Sequence, residues 1–434
     1  MKLLKLLAAC AAAAAALGVV FVALLALTLS LTSDAAIEAN LGEAARGEVL
    51  SPSSYPMSPY GVLNDHQYDM FSDCVGFGVN LSNQEQGLLR RIAESPTAGY
   101  QANEMGPCGY LVDAIEAGRV NADLEYLRFW HGYQAYLRPL LSVMPLEAVR
   151  RVTAVLFLLV MVLFAWRIER LFGPWAWAVA IVPFFALSDF FTAPMVVTQS
   201  LQLIWAFLSA ALLAIVLERA PPKARDLVLP VFVFALGAVS NFLNFLINPP
   251  LAPALIAFFY IAANLGGDTR RTWRTVAYGL GLAALWLAGF AAAWIEKWLL
   301  AALVLGPDVV IHALTRAVSD YDAARERLGV HFLGASRRNL LQSPLFFGFI
   351  AVSITAACAL VAWLAHTRKD WRAAVTSFVA MMTPLAVVVL WVEANSAHSS
   401  EHMGFVSRSF LLFAIVPLLA AIKLWRAPVR AQAA

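Results

Sequence analysis

The sequence predicts an all-α, polytopic transmembrane helix bundle of about ten spans, with a long outer-face loop of membrane-lying helices after the first span. Three observations carry this. The chain of 434 residues is 61% hydrophobic and 14% charged, with mean hydropathy +0.71; a soluble domain is about 45–50% apolar and about 25% charged. The apolar residues gather in stretches, most of them near the ~20 residues that a helix needs to cross a bilayer. The connections alternate between short basic ones and longer ones of mixed charge, as the positive-inside bias requires. A water-soluble globule, a disordered chain, a coiled coil and a disulfide-knotted mini-protein are excluded. The net charge of +3 is small and sits at membrane edges, so nucleic-acid binding has no support.

Residues 1–32 form the first anchor. The apolar run Leu6 to Leu31 is longer than the roughly 7–15-residue core of a cleaved secretory signal, so it is read as retained. Leu7-Ala8-Ala9-Cys10 imitates a lipoprotein cleavage box, but the apolar run continues well past Cys10. Further apolar stretches lie near 152–167, 173–189, 193–217, 227–244, 250–265, 276–300, 344–365, 373–392 and 409–425. With Lys2 and Lys5 in the cytoplasm, the inner connections carry Arg167 and Arg170; Arg219, Lys223 and Arg225; Arg270, Arg271 and Arg274; Arg368, Lys369 and Arg372; and Lys423, Arg426 and Arg430. This pattern predicts both termini in the cytoplasm of a bacterial inner membrane. The bundle, residues 152–434, then has outer loops near 301–343 and 393–408 and a shorter one near 241–248.

Residues 33–151 are the largest outer segment. They hold fifteen Asp and Glu against eight Arg and no Lys. Cys74 and Cys108 are the only cysteines outside the apolar stretches, and an exported compartment permits their bridging. A Cys74–Cys108 disulfide is expected, worth about 3–4 kcal/mol by loop-closure entropy; two free thiols are the alternative. Asp34 to Gly47 reads as an extension of the first span. Residues 51–59 read as an extended linker, and Asn83 to Glu94 and Leu111 to Ala117 as short amphipathic helices. Trp130, Tyr133 and Tyr136 suit a membrane-interface belt. The segment is expected to lie on the membrane and not to fold independently.

Four constellations could carry chemistry. Asp65, Asp69 and Asp73 share one face if their segment is helical. Close carboxylates repel, which raises a pKa and suits a general base, a metal ligand or a proton acceptor; a solvated acidic face is the bland alternative. Arg128, Trp130, His131 and Arg138 lie among aromatics. Arginine grips phosphate, histidine can donate to it, and aromatic faces suit sugar rings; an aromatic-anchored interfacial helix explains the same pattern. His398, His402 and Arg408 join two apolar stretches. The two histidines flank Glu401 without metalloprotease spacing, so a zinc site has only two local ligands. Arg408 at an outer edge runs against the positive-inside bias, which a bound anion or snorkelling explains. Asn241, Asn244 and Asn248, with Gln199 and Gln202, form the fourth group, and amides in lipid should face protein or a wet cavity. All four fall on one predicted side, which points to an outer-face cavity.

Asp65-x-x-x-Asp69, Arg128-Phe129-Trp130-His131-Gly132, Leu137-Arg138-Pro139-Leu140-Leu141 and the His398-to-Arg408 segment resemble a family of bacterial membrane proteins built like the GT-C class of integral-membrane glycosyltransferases. The resemblance implies a polyprenyl-phosphate-linked sugar donor in the membrane lipid and an envelope glycan or lipid acceptor. It implies an aspartate of the first outer loop as base or as ligand of a divalent metal; Asp69 is preferred and Asp65 is the alternative. Arg128, His131, Arg138 and Arg408 become phosphate contacts, with Trp130, His398 and His402 as further substrate contacts. The resemblance makes no cofactor certain and allows a divalent metal. Two other readings compete: a transporter or flippase of a lipid-linked or anionic solute, and a non-catalytic envelope assembly protein.

Overall fold

The computed structural model describes residues 2–54, 70–98 apart from 80 and 82–85, 106–120, 124–187, 196–243 apart from 220, 248–265, 269–312, 333–368 and 371–426, with a few single positions between 314 and 326. The fold is an all-α polytopic bundle; among the described residues, strand is confined to the two-residue pair Pro96–Thr97 and Leu124–Glu125. Helix α1 (Lys2–Leu31) is followed by α2 (Asp34–Arg46). The loop region holds α3 (Phe71–Gly78), α4 (Leu88–Glu94), α5 (Gly106–Glu116) and α6 (Gln134–Leu141). The bundle continues with α7 (Leu146–Phe172), α8 (Ala176–Leu187), α9 (Val197–Arg219), α10 (Pro222–Leu243), α11 (Leu251–Asn264) and α12 (Thr269–Leu305). Helices over Pro344–Arg368, Trp371–Met382, Leu385–Ala394 and Leu412–Arg426 complete it.

Eight helices among the described residues are long and apolar enough to cross a membrane. The expected third and sixth stretches form the shorter helices α8, of 12 residues, and α11, of 14. At 1.5 Å per residue these reach roughly 18 and 21 Å, short of the ~30 Å hydrocarbon core. Helix α9 and the C-terminal helix form the interior, with α11 largely buried beside them, while α1 and Pro344–Arg368 are mostly exposed at the periphery.

The tightest crossing joins α10 to α12. A Cβ on Gly237 would sit 1.9 Å from the Trp286 carbonyl oxygen, and one on Gly289 would sit 1.9 Å from that of Phe234. Each helix presents a glycine to the other's backbone, the device by which membrane helices approach closely.

Two expectations for the loop are corrected. Helix α2 is not an extension of the first span: Ser33 is extended (φ −96°, ψ 119°) and accepts from the Ala36 N–H as an N-cap, so the chain turns there. Trp130 and Tyr133 do not form an interface belt, because both are buried. The loop does fold onto the bundle, since Ile37, Leu41, Leu50, Cys74, Phe77 and Leu111 share one continuous apolar cluster with α7, α9 and α11.

Candidate functional site

The bundle has two distinguishable ends. At one, Arg167 pairs with Glu218 (2.6 Å) and Lys423 donates to the Leu171 carbonyl (2.8 Å). The loop packs on the other end, called here the loop end, where the described members of the sequence constellations lie; Asn244 is outside the described residues.

Asp34 fixes the loop to α1. One carboxylate oxygen accepts from Arg91 (3.0 Å) and the other pairs with Arg138, whose Nε donates to Thr32 Oγ1 (3.1 Å). All three charged side chains are buried. Burial pushes the Arg138 guanidinium below its ordinary value and Asp34 opposes this; it remains charged. Arg138, expected as a phosphate contact, is thus engaged by Asp34 and only 2% exposed.

The Trp130-His131-Gly132 motif is a clamp. Trp130 Nε1 donates to the Ala293 carbonyl on α12 (2.6 Å), and its ring meets Phe21 of α1 edge-on. Gly132 N–H donates to the Phe242 carbonyl at the end of α10 (2.8 Å), and any Cβ there would strike the Phe242 ring at 2.4 Å. His131, between them, adopts a left-handed φ of +55°. Its Nε2 lies 3.0 Å from the Tyr126 carbonyl and its Nδ1 2.9 Å from Tyr133 Oη. A carbonyl only accepts, so Nε2 carries the proton and Nδ1 accepts from the tyrosine. Burial holds this imidazole down to about 3, so it is neutral at physiological pH. It ties Tyr126 to Tyr133 within its own loop segment as a neutral ring. Arg128 is half-buried, lies over the Tyr126 ring (5.7 Å) and offers its carbonyl to Trp294 Nε1 (2.6 Å).

Lys297 of α12 completes the clamp. Its ammonium donates to the Ile92 and Ala93 carbonyls and to Ser95 Oγ. It thereby satisfies the C-terminal carbonyls of α4, which ends in a left-handed Ser95.

Of the acidic triad, Asp65 and Asp69 lie outside the described residues. Asp73 caps α9: its oxygens accept from the Val197 N–H (2.9 Å), the Thr198 N–H (2.9 Å) and Thr198 Oγ1 (2.7 Å). A carboxylate suits a helix N-terminus, although burial still raises its pKa, with Arg150 the main opposing influence. The expected Cys74–Cys108 disulfide is present. The Met70 and Phe71 N–H groups both donate to the Ser54 carbonyl (2.9 and 3.1 Å), so residues 54 and 70 are pinned together.

The late segment supplies a polar layer between helices. Arg408 is buried and donates to Gln199 Oε1 on α9 (2.9 Å), and Ser409 donates to Asn248 Oδ1 (2.9 Å). One turn further along α9 lies Gln202, and one turn beyond Gly237 on the α12-facing side of α10 lies Asn241. Both amide atoms of Gln202 and of Asn241, and Nδ2 of Asn248, are buried without a hydrogen-bond partner. His398 and His402 lie with ring centroids 4.6 Å apart, and His402 stacks on Phe405. Burial lowers His402 to about 4. No group of three His, Cys, Asp or Glu side chains able to hold a metal ion occurs among the described residues.

The structure therefore joins Arg408 to Gln199 and Ser409 to Asn248, and gives Arg138, Trp130 and His131 to the frame around them. Asp34 and Lys297 are the frame residues that sequence reasoning missed. Asp34 had a signal, a Ser-Asp pair directly after an apolar span. Lys297 had a weaker one, a cation inside an apolar stretch.

No protein-family model matches the chain, and no curated protein or solved structure is significantly similar to it. The fold and the composition define a multi-pass membrane protein.

Proposed function

We propose that this protein is a membrane glycosyltransferase of GT-C type, transferring a sugar from a polyprenyl-phosphate carrier to an envelope glycan or lipid. The loop end would be the outer face of a bacterial inner membrane, with both termini in the cytoplasm; the basic residues of the opposite end support that orientation. The observation that best supports the function is the buried Arg408 guanidinium, held by the Gln199 amide at the loop end. Guanidinium donors suit a phosphate leaving group. Asp69, or Asp65, takes the proton from the acceptor hydroxyl. The hydroxyl oxygen attacks the anomeric carbon from the face opposite the phosphate. The anomeric C–O bond breaks, and its electron pair leaves on the phosphate, whose charge Arg408 and the half-buried Arg128 stabilise.

The transporter reading draws support from one observation, the two short helices α8 and α11 beside intramembrane amides, which suit an alternating-access site. Mass spectrometry of envelope glycans and lipid-linked sugars separates the readings. A deletion strain is complemented with wild type, Asp69→Asn or Asp65→Asn at matched protein level. Transferase action predicts that at least one variant loses the sugar that wild type restores, or accumulates its lipid-linked donor. Full restoration by both variants sinks the carboxylate-base mechanism and favours transport or assembly.

A further inference from the structure

Glu296 stands apart from the other acids of the membrane-crossing helices. Among the described residues of the eight candidate spans, Glu147, Glu169, Glu218, Asp226 and Glu393 all fall within four residues of a helix end, near the aqueous boundary. Glu296 lies nine residues inside the end of α12 at Leu305. It packs on the first anchor: a Cβ placed on Gly18 of α1 would sit 3.1 Å from Glu296 Oε2. Both helices expose large apolar side chains at and beyond this level, Ile295, Leu299 and Leu303 on α12 and Val19, Leu24 and Leu27 on α1. Lipid covers such a surface, so the half-buried acid sits in a seam bounded by apolar side chains and hydrocarbon.

Oε2 is buried and accepts no hydrogen bond. The charges on the elements around it are engaged or distant. Lys297 is next in sequence but leaves the helix on another side, where the Ile92 and Ala93 carbonyls and Ser95 Oγ take its ammonium. On α4, Arg90 pairs with Glu94 and Arg91 with Asp34. Lys2 and Lys5 of α1 lie more than three turns from Gly18, and Arg270, Arg271 and Arg274 of α12 lie about six turns or more from Glu296. The charges of α10, Lys223, Arg225 and Asp226, fall in its first two turns, while Val239 and Phe242 of α10 belong to the apolar cluster of the seam. Helix α11 carries no charge, and Trp371–Met382 carries only Arg372 at its start. In the loop, Arg128 lies over the Tyr126 ring and His131 is neutral. An isolated carboxylate in apolar surroundings is costly, and the group escapes the cost by taking a proton. An acid within a membrane span is a functional-site candidate for the same reason.

We propose that Glu296 is a proton-binding site of the α1–α12 seam, occupied at neutral pH. The neutral acid lets α1 close on α12. Losing the proton to water leaves a carboxylate against Gly18 and the apolar wall of Leu17, Phe21 and Val22, and loosens the anchor. Phe21 also stacks on Phe242 and meets Trp130 edge-on, so the loosening reaches the clamp that holds the loop end. The proposal is independent of the transferase reading, because neither Arg408 nor Asp69 enters it.

The test uses full-length protein in native nanodiscs near neutral pH. Dicyclohexylcarbodiimide partitions into lipid and reacts with protonated acids: the acid's proton goes to a nitrogen of the reagent, and the carboxyl oxygen bonds to its central carbon. Peptide mass spectrometry should place an adduct on Glu296. A water-soluble cationic carbodiimide should label the exposed Glu147 at least tenfold more than Glu296. Failure of the lipid-soluble reagent to label Glu296 overturns the proposal. Equal labelling of Glu296 and Glu147 by the water-soluble reagent also overturns it, because the acid then sits in water. Thermal unfolding supplies a second readout. The folded state holds the extra proton, so wild type should lose several degrees relative to Glu296→Gln as pH rises from about 5, just above the ordinary glutamate value of about 4.3, to about 8. A constant difference across that range overturns the proposal. The labelling needs no variant, so it decides even where Glu296→Gln does not fold.

Discussion

Substituting Gly289 by alanine tests the α10–α12 crossing on which the loop end rests. The new Cβ would sit 1.9 Å from the Phe234 carbonyl oxygen, where ordinary contacts begin at 3.4 Å. The neighbour is backbone in a helix, so it cannot rotate away, and the helices must separate by roughly 1.5 Å along this contact. A gap of 0.5–1 Å already forfeits about a quarter to a half of the dispersion well for each atom pair it opens. Gly237 and Gly289 lock the same crossing reciprocally, so separation opens both. The expected loss is about 3 kcal/mol, the upper end of overpacking costs. Gly281 on the same helix is the control, since a Cβ there meets nothing within 4 Å; alanine at that position should be neutral or stabilising by up to about 1 kcal/mol. Thermal unfolding of the purified protein in nanodiscs, followed by tryptophan fluorescence, reads both. If Gly289→Ala and Gly281→Ala unfold at the same temperature, the close-packed crossing is refuted.

Other residues make separate predictions. Asp34→Ala leaves Arg91 and Arg138 buried as uncompensated cations and should cost about 3–5 kcal/mol; unfolding temperatures that match those of wild type would contradict the ion triad. Removing the Cys74–Cys108 bridge, which spans 34 residues, should cost about 3–4 kcal/mol, read as a fall in unfolding temperature on reduction that a Cys74→Ser/Cys108→Ser variant no longer shows. His131 titrates near 3 in the folded protein against 6.5 in the unfolded chain, so between those values the unfolded chain binds the extra proton. Its contribution is complete above about pH 6.5 and is lost as pH falls towards 3. The slope of unfolding temperature against pH from 6.5 down to 4 should be shallower in His131→Asn, a residue that tolerates the left-handed backbone; an unchanged slope would show that His131 is not buried neutral.

Sequence reasoning reached the fold because apolar periodicity and basic connections are local signals. The cysteine pair was legible for the same reason, being the only two thiols outside apolar stretches. The Trp130-His131-Gly132 motif was visible but its role was not. Aromatic and cationic density is the same for a binding helix and for a clamp, and only the tertiary partners Ala293 and Phe242 separate the two. Asp34 reads locally as a first-turn acid, whereas its meaning comes from arginines 57 and 104 residues away. Gln199 and Gln202 were legible as amides inside an apolar stretch. The association of Gln199 with Arg408, 209 residues away, needed the folded chain.

The central claim is that the loop end seats a lipid phosphate on Arg408. Native mass spectrometry of wild type and Arg408→Gln, each released from nanodiscs drawn from the host membrane, tests it most directly. Arg151→Gln serves as the control, being an exposed arginine of the same end paired with Glu147. The account predicts a polyprenyl phosphate species on wild type and on Arg151→Gln, reduced at least tenfold on Arg408→Gln. Equal retention by Arg408→Gln, or no phosphorylated polyprenyl lipid on wild type, would contradict it.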